Sequence, residues 1–374
     1  MSHGPLHGLR VIEMAGIGPC PFTGLLLADM GAEVIVVERP AEQRSLGGGG
    51  QMNRGKRSLL LDLKQALAQQ ALRRLILSAD ALIEGYRPGV MERLGLGPAV
   101  FEAEHPRLVY GRVTGWGQTG PLARSAGHDL NYLALSGLLA LSARPGQAPT
   151  VPPTVIGDMA GGGLLLAFGL VCALLEARKS GRGQIIDAAM LDGAVLFSSL
   201  IHSLKAQDRW PDSPRDNLFL HQSPFYDSFE CADGRYLSLA AIEPRFHRRL
   251  LELLGLDDLL QEPQMDSRLW PAQRARVAAR LREKSRDAWC HLLEGSEACV
   301  APVLEPDEAA AHAHLQARGC LVKDAMGRPQ PAAAPRLSRT PARASPHSPI
   351  PGADSRDLLE SLGLSELELQ ALLS

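Results

Sequence analysis

The run from Leu9 to Glu38 constrains the fold more than any other stretch. Leu9-Arg10-Val11-Ile12-Glu13-Met14 reads as a strand, Pro19 to Met30 as a helix, and Ala32-Glu33-Val34-Ile35-Val36-Val37-Glu38 as a second strand. The second strand is almost continuously apolar, as expected of a strand covered on both faces of a parallel sheet. The pattern then repeats. Leu59 to Leu63 forms a short strand, and Leu63, Leu67, Ala71 and Leu75 fall at helical spacing. Ala81-Leu82-Ile83, Leu108 to Val113 and Gln184 to Ala188 supply further strands. Strands alternating with helices predict an α/β fold with a Rossmann-like parallel sheet. The opening imitates a dinucleotide-binding turn, with Gly16-Ile17-Gly18 after the first strand and Glu38 about twenty residues on. Pro19 sits inside that turn and Pro21 holds the third glycine position, so the fingerprint is broken and NAD is disfavoured.

A chain of 374 residues exceeds one ordinary core, so two domains are expected. Ser203 to Pro224 is rich in Trp, Pro, Asp and Arg and reads as a linker. An Asp233-Gly234 turn between Phe225–Cys231 and Arg235–Ala240 predicts a hairpin. Helices follow near Pro244, Trp270 and Arg286. Residues 225–320 are thus expected to form a smaller α+β domain. Residues 1–210 form the large domain, completed by 325–374 returning to it. Arg44 to Arg57, with Gly47 to Gly50 inside it, has the composition of a mobile loop. Residues 328–351 read as extended chain, and Ser355 to Leu373 as a last amphipathic helix.

Net charge is −2, so no basic excess points to nucleic acid or to an anionic membrane surface, and an anionic ligand needs a local cationic cluster. Six scattered cysteines without a C-x-x-C pair read as reduced thiols, and neither terminus resembles a secretory or peroxisomal address, so a cytoplasmic protein is expected. The longest uncharged run, Met159 to Leu175, falls just short of a membrane span and reads as a buried helix packed on a neighbour, with another subunit as one option. Histidines and cysteines lack metal-ligand spacing, and no G-x-S-x-G elbow is present.

Chemistry concentrates between Ala126 and Asp158. His128-Asp129 opens an apolar helix running to about Leu141, and Asp158 opens a second one starting near Met159. Two helix N-termini facing one pocket would offer a histidine, a carboxylate and oxyanion donors. The plainer alternative is that Asp129 and Asp158 only cap their own helices.

Ala126-Gly127-His128-Asp129, Gly157-Asp158 and Ala241-Ile242-Glu243-Pro244 resemble the α-methylacyl-CoA racemases of the family III CoA-transferase superfamily. So do Glu84-Gly85-Tyr86-Arg87-Pro88-Gly89-Val90, Thr114 to Pro121, and Asp187 to Gly193. The resemblance spans residues 6 to 345. It implies an interlocked homodimer and an acyl-CoA substrate, with no cofactor beyond the coenzyme A the substrate carries. It places His128 and Asp158 on opposite sides of the substrate α-carbon, one as base and the other as acid. The backbone N–H of Asp129 is then a candidate enolate donor, Glu243 a partner that orients His128, and Tyr132 either a hydrogen-bond partner of Asp158 or a packing residue. Arg39 is expected near adenosine. Arg54, Arg87 and Arg93 are phosphate candidates, with Leu61, Gly85 and Tyr86 completing the CoA-binding set. The competing reaction is CoA transfer through a covalent Asp158 intermediate. Against it, Leu218 to Pro224, just before the small domain, lacks the glycine run of the transferases.

Overall fold

In a computed structural model, which describes residues 4–40 and 49–373, the chain divides into two units. Unit 1 contains β1 (Arg10–Met14), α1 (Pro19–Asp29), β2 (Glu33–Glu38), β3 (Arg57–Leu60), α2 (Ala66–Leu77), β4 (Ala81–Glu84), α3 (Val90–Arg93), β5 (Val109–Thr114) and α4 (Asp129–Ser136). It continues with α5 (Leu165–Ser180), β6 (Ile185–Ala189) and α6 (Met190–Phe197). The six strands form one sheet in the order β3-β2-β1-β4-β5-β6. Every pairing is parallel.

Alternation along each strand explains the layers. In β1, Ile12 and Met14 face a core with Ile35, Leu59, Leu72 and Leu75, while Val11 faces a second core with Val34, Ile83, Val109, Leu166 and Leu170. Both faces are covered, which is why the strands read as unbroken apolar runs. Each fully buried Leu or Ile contributes roughly 1.5–3 kcal/mol.

Unit 2 comprises residues 139–150 and 198–313. It holds α7 (Ser199–Ala206), β7 (Tyr226–Glu230), β8 (Tyr236–Ala240), α8 (Pro244–Leu254), α9 (Trp270–Leu281), α10 (Arg286–Leu293), β9 (Val300–Pro302) and α11 (Pro306–Ala311). Its antiparallel sheet runs β7-β8-β9, and Gly234 turns the hairpin at φ 74°. Trp289 is fully buried against Leu237, Leu250 and Leu281.

Unit boundaries differ from the expected ones. Unit 2 starts at Ser198 rather than 225, because α6 packs back on the large unit: a Cβ on Gly193 would lie 2.2 Å from the Gly161 carbonyl oxygen. It also takes residues 139–150, where Arg144 clasps the Asp227 carboxylate at 2.6 and 3.0 Å. Unit 1 resumes at His314, with α12 (Ala313–Arg318), β10 (Leu321–Lys323) and β11 (Pro329–Pro331). The expected last helix is two, α13 (Ser355–Glu360) and α14 (Glu366–Leu373), separated by Gly363 at φ 70°. Of the glycine-rich loop, Arg44, Gly47 and Gly48 lie outside the described residues, and Gly49 and Gly50 have φ 83° and 55°.

Candidate active site

In the sheet, the chain runs outward from β1 to β2 and β3, then returns to β4 on the other side of β1. The turns leaving β1 and β4 therefore diverge, and a crevice opens at the carboxyl ends of those strands. A cavity of about 240 Å³ occupies that place. Ile17 and Pro19 after β1, Gly85 to Pro88 after β4, and Gly115 and Trp116 after β5 line it, together with His128, Tyr132, Asp158 and Met190.

His128 is the residue before α4, in extended conformation, and its N–H donates to Asn131 Oδ1 at 3.1 Å. Gly137, left-handed at φ 84°, ends α4 earlier than expected. The second helix begins at Val155, four residues before Met159, behind Thr154 at φ 60°. From Val155 to Leu164 it is a wide, π-type coil that runs on into α5. Such widened turns are common at functional sites. Close packing accounts for its glycines: a Cβ on Gly162 would meet Met190 at 2.8 Å and Pro19 at 2.9 Å.

Neither aspartate caps its own helix. Asp129 is buried and does not cap α4; its Oδ1 accepts the N–H groups of Gly157 and Asp158 at 2.6 and 2.8 Å. One carboxylate thus ties the start of the second helix to the start of the first. Asp158 does not occupy the cap position either, which is held by Thr154. Burial pushes the Asp158 carboxyl up to about 6, the nearby Asp129 charge adds to the rise, and His128 opposes it. Tyr132 does not hydrogen-bond Asp158. Its hydroxyl donates to the Gly127 carbonyl, and its ring meets Trp116 edge-on at 4.8 Å. Burial first, and then the Asp158 and Asp129 charges, push its phenol up to about 12.

At the cavity mouth, the exposed Arg87 side chain lines the wall. The Arg39 guanidinium lies 5.1 Å from the centre of the Tyr86 ring. Arg93 ends α3 and is exposed, and among the described residues neither Arg87 nor Arg93 pairs with a carboxylate. Also among the described residues, no group of three or more His, Cys, Asp or Glu is placed to hold a metal ion.

Residues 6–355 match the family model described as CoA-transferase family III. The chain belongs to that family. It is 41% identical over 370 residues to the alpha-methylacyl-CoA racemase of Mus musculus, covering 98% of this chain and 96% of the relative. The alpha-methylacyl-CoA racemase of Homo sapiens is 40% identical over the same coverage. An acetyl-CoA:oxalate CoA-transferase of Acetobacter aceti is 31% identical, covering 86% of each chain. The crystal structure of a CaiB/BaiF family protein from Brucella suis superposes with a TM-score of 0.82 at 26% identity, covering 97% of this chain and all (100%) of that one.

For a family III chain, two of the expected CoA ligands are placed elsewhere. Arg54 is 3% exposed and committed to Asp29 through Nε at 3.1 Å and Nη2 at 2.6 Å, while its Nη1 donates to the Pro331 carbonyl at 2.6 Å. It is a buried strut, each of its guanidinium nitrogens hydrogen-bonded within the protein. The Leu61 side chain lies in the first core, and its N–H donates to the Glu38 carbonyl at 3.0 Å. Glu243 belongs to unit 2, exposed at the start of α8. Trp116 and Met190 line the cavity without having been singled out. Each lies within a stretch that carried the family resemblance, but nothing local marks either as facing a site.

Proposed function

We propose that the protein interconverts the 2R and 2S forms of 2-methylacyl-CoA thioesters by two-base proton transfer through an enolate. One observation carries this: His128 and Asp158, each at a helix start, line one cavity whose other wall is the Gly85 to Pro88 turn. His128 takes the α-proton from one face and Asp158 delivers one to the other; the roles exchange for the opposite enantiomer. A carboxyl near 6 suits both tasks, since it is ionised as base and still protonatable as acid close to neutral pH. The Asp129 N–H, in the first turn of α4, is the enolate donor. Arg87 and Arg93 bind the CoA phosphates, and Arg39 with Tyr86 holds the adenosine. No cofactor is needed, because the thioester itself acidifies the α-carbon.

The protein acts as a homodimer in which Glu243 of the partner subunit orients His128. Exposed apolar side chains along one stretch support such pairing: Leu164, Phe168 and Leu175, then Val195, Leu196 and Phe197. The helix from Val155 to Ser180 is long and apolar enough to cross a bilayer. In this fold it is the crossover between β5 and β6, with Leu166 and Leu170 fully buried on the sheet. We place the protein in the cytoplasm.

Incubation of each pure enantiomer of a 2-methylacyl-CoA in deuterated water tests the reaction. Racemisation with α-deuterium incorporation and no acceptor acid is expected. Asp158→Ala should still wash out the α-hydrogen of one enantiomer without inverting it, and His128→Ala that of the other. The similarity to the oxalate CoA-transferase keeps a second reading open, in which Asp158 is a nucleophile. Activity only with a free carboxylate acceptor, with hydroxylamine trapping Asp158, would establish that one instead.

A further inference from the structure

A buried charge cluster lies directly behind the turn that walls the cavity. Glu84, the last residue of β4, is 0% exposed. Its Oε2 accepts the Tyr86 N–H at 2.6 Å, and its Oε1 accepts Arg112 Nε at 2.8 Å. Arg112 comes from β5, in register beside Glu84, and is itself buried. Its other end reaches Glu92 on α3, with Nη1 at 2.8 Å and Nη2 at 3.2 Å. Between these two anchors the chain runs through Gly85, Tyr86, Arg87 and Gly89 to Arg93. Gly89 adopts φ 87°, a left-handed conformation that glycine takes without a Cβ penalty.

We propose that Glu84 is a positioning residue for coenzyme A. With Arg112 and Glu92 it fixes the turn from Gly85 to Arg93, so that Arg87, Arg93 and the Tyr86 ring meet the nucleotide already in place. None of the three touches the reacting carbon. The proposal rests on the assignment of this turn to CoA. Preorganising a binding loop lowers the ordering cost of association and leaves the chemical step alone. The cluster also spares Arg87 and Arg93: Glu84 and Glu92, the acidic residues flanking the turn, are both occupied by Arg112.

The test compares two substrates that share one reacting centre, a 2-methylacyl-CoA and the same acyl group on pantetheine, which lacks the nucleotide. In Glu84→Gln the side-chain oxygen can still accept the Tyr86 N–H, but the amide NH₂ then opposes the Arg112 N–H. The KM for the CoA thioester is expected to rise about tenfold with kcat changed less than about twofold, because one charge-assisted bond is lost behind a binding element. The KM for the pantetheine thioester, which lacks the nucleotide that Arg87, Arg93 and the Tyr86 ring meet, should rise by a clearly smaller factor. Glu92→Gln, at the exposed end of the cluster, should fold readily and shift the KM in the same direction by about threefold. If Glu84→Gln does not fold, Glu92→Gln decides alone. Equal losses with both thioesters, or a CoA KM unchanged in the folded variants, would overturn the role of Glu84. A parent enzyme that handles the two thioesters equally would instead remove the CoA assignment of the turn, and this proposal with it.

Discussion

Replacing Asp158 by Asn should abolish racemisation and yet stabilise the protein, in a pH-dependent way. Asp158 titrates at about 6 in the folded chain, raised from 3.8, chiefly by burial and then by the Asp129 charge. A carboxyl whose folded value is raised favours folding only while it is protonated. Its stabilising share is complete below pH 4 and disappears as pH rises through about 6, so the ionised group burdens the fold above that. At about 1.4 kcal/mol per pH unit, the full displacement is at most about 3 kcal/mol. Asp158 is only half-buried, and solvent screening reduces the figure to about 1–2 kcal/mol. Asn is nearly isosteric and carries no charge, so at pH 8 the variant should gain that amount, a rise in Tm of about 2–4 °C. At pH 4 the gain should vanish. Glu13, pushed up to about 7 by burial, and His247, held down to about 4 by burial, titrate in the same interval. Only the difference between variant and parent, measured by thermal melts at matched protein concentration, isolates Asp158. A variant no more stable than the parent at pH 8, or equally stabilised at both pH values, would refute the account of the site as electrostatically strained.

Asp129→Asn keeps an oxygen for the Gly157 and Asp158 N–H groups but removes the like charge; the acidic limb of kcat/KM, for the enantiomer whose proton Asp158 takes, should move to lower pH. A pH–rate profile with an unmoved limb would exclude Asp129 as a cause of the raised value. Arg54→Ala strands the buried Asp29 carboxylate and should cost about 3–5 kcal/mol of stability. Denaturant melts check this, and the CoA-ester affinity of the folded fraction should stay near that of the parent. Arg87→Ala should raise the KM for the CoA thioester while largely sparing kcat; a collapsed kcat with full-strength binding would contradict a phosphate role.

The parallel sheet was legible in the sequence because burial on both faces leaves a direct trace, the unbroken apolar runs of β2 and β4. The starts of α8, α9 and α10 were legible too, as was the Asp233-Gly234 turn, since each depends on chemistry within a few residues. His128 and Asp158 were legible only through the family motifs that carry them, since an aspartate at a helix start is by itself an ordinary cap. Boundaries depending on distant packing were not legible. Nothing near Ser198 says that α6 returns to the large unit; the contact between Gly193 and Gly161 says it, across thirty-two residues.

Side-chain partners were decided by tertiary structure alone. Arg54 and Arg87 look equivalent in sequence, each an arginine in a polar turn. Only the fold shows that α1 presents Asp29 to the first, while among the described residues no carboxylate pairs with the second. Asp129 looked like the cap of the helix it opens, and the structure sends it to the next one. A helix cap can be satisfied by any acceptor within reach, and reach is set by how α4 and the Val155 helix pack, which no local pattern encodes. The sheet and the helix starts were readable from sequence because they follow from burial and spacing along one segment, and His128 and Asp158 because they sit in motifs shared with a family. Which charges meet, and therefore how Asp158 titrates and which arginines are left for a phosphate, follows from segments brought together by the fold.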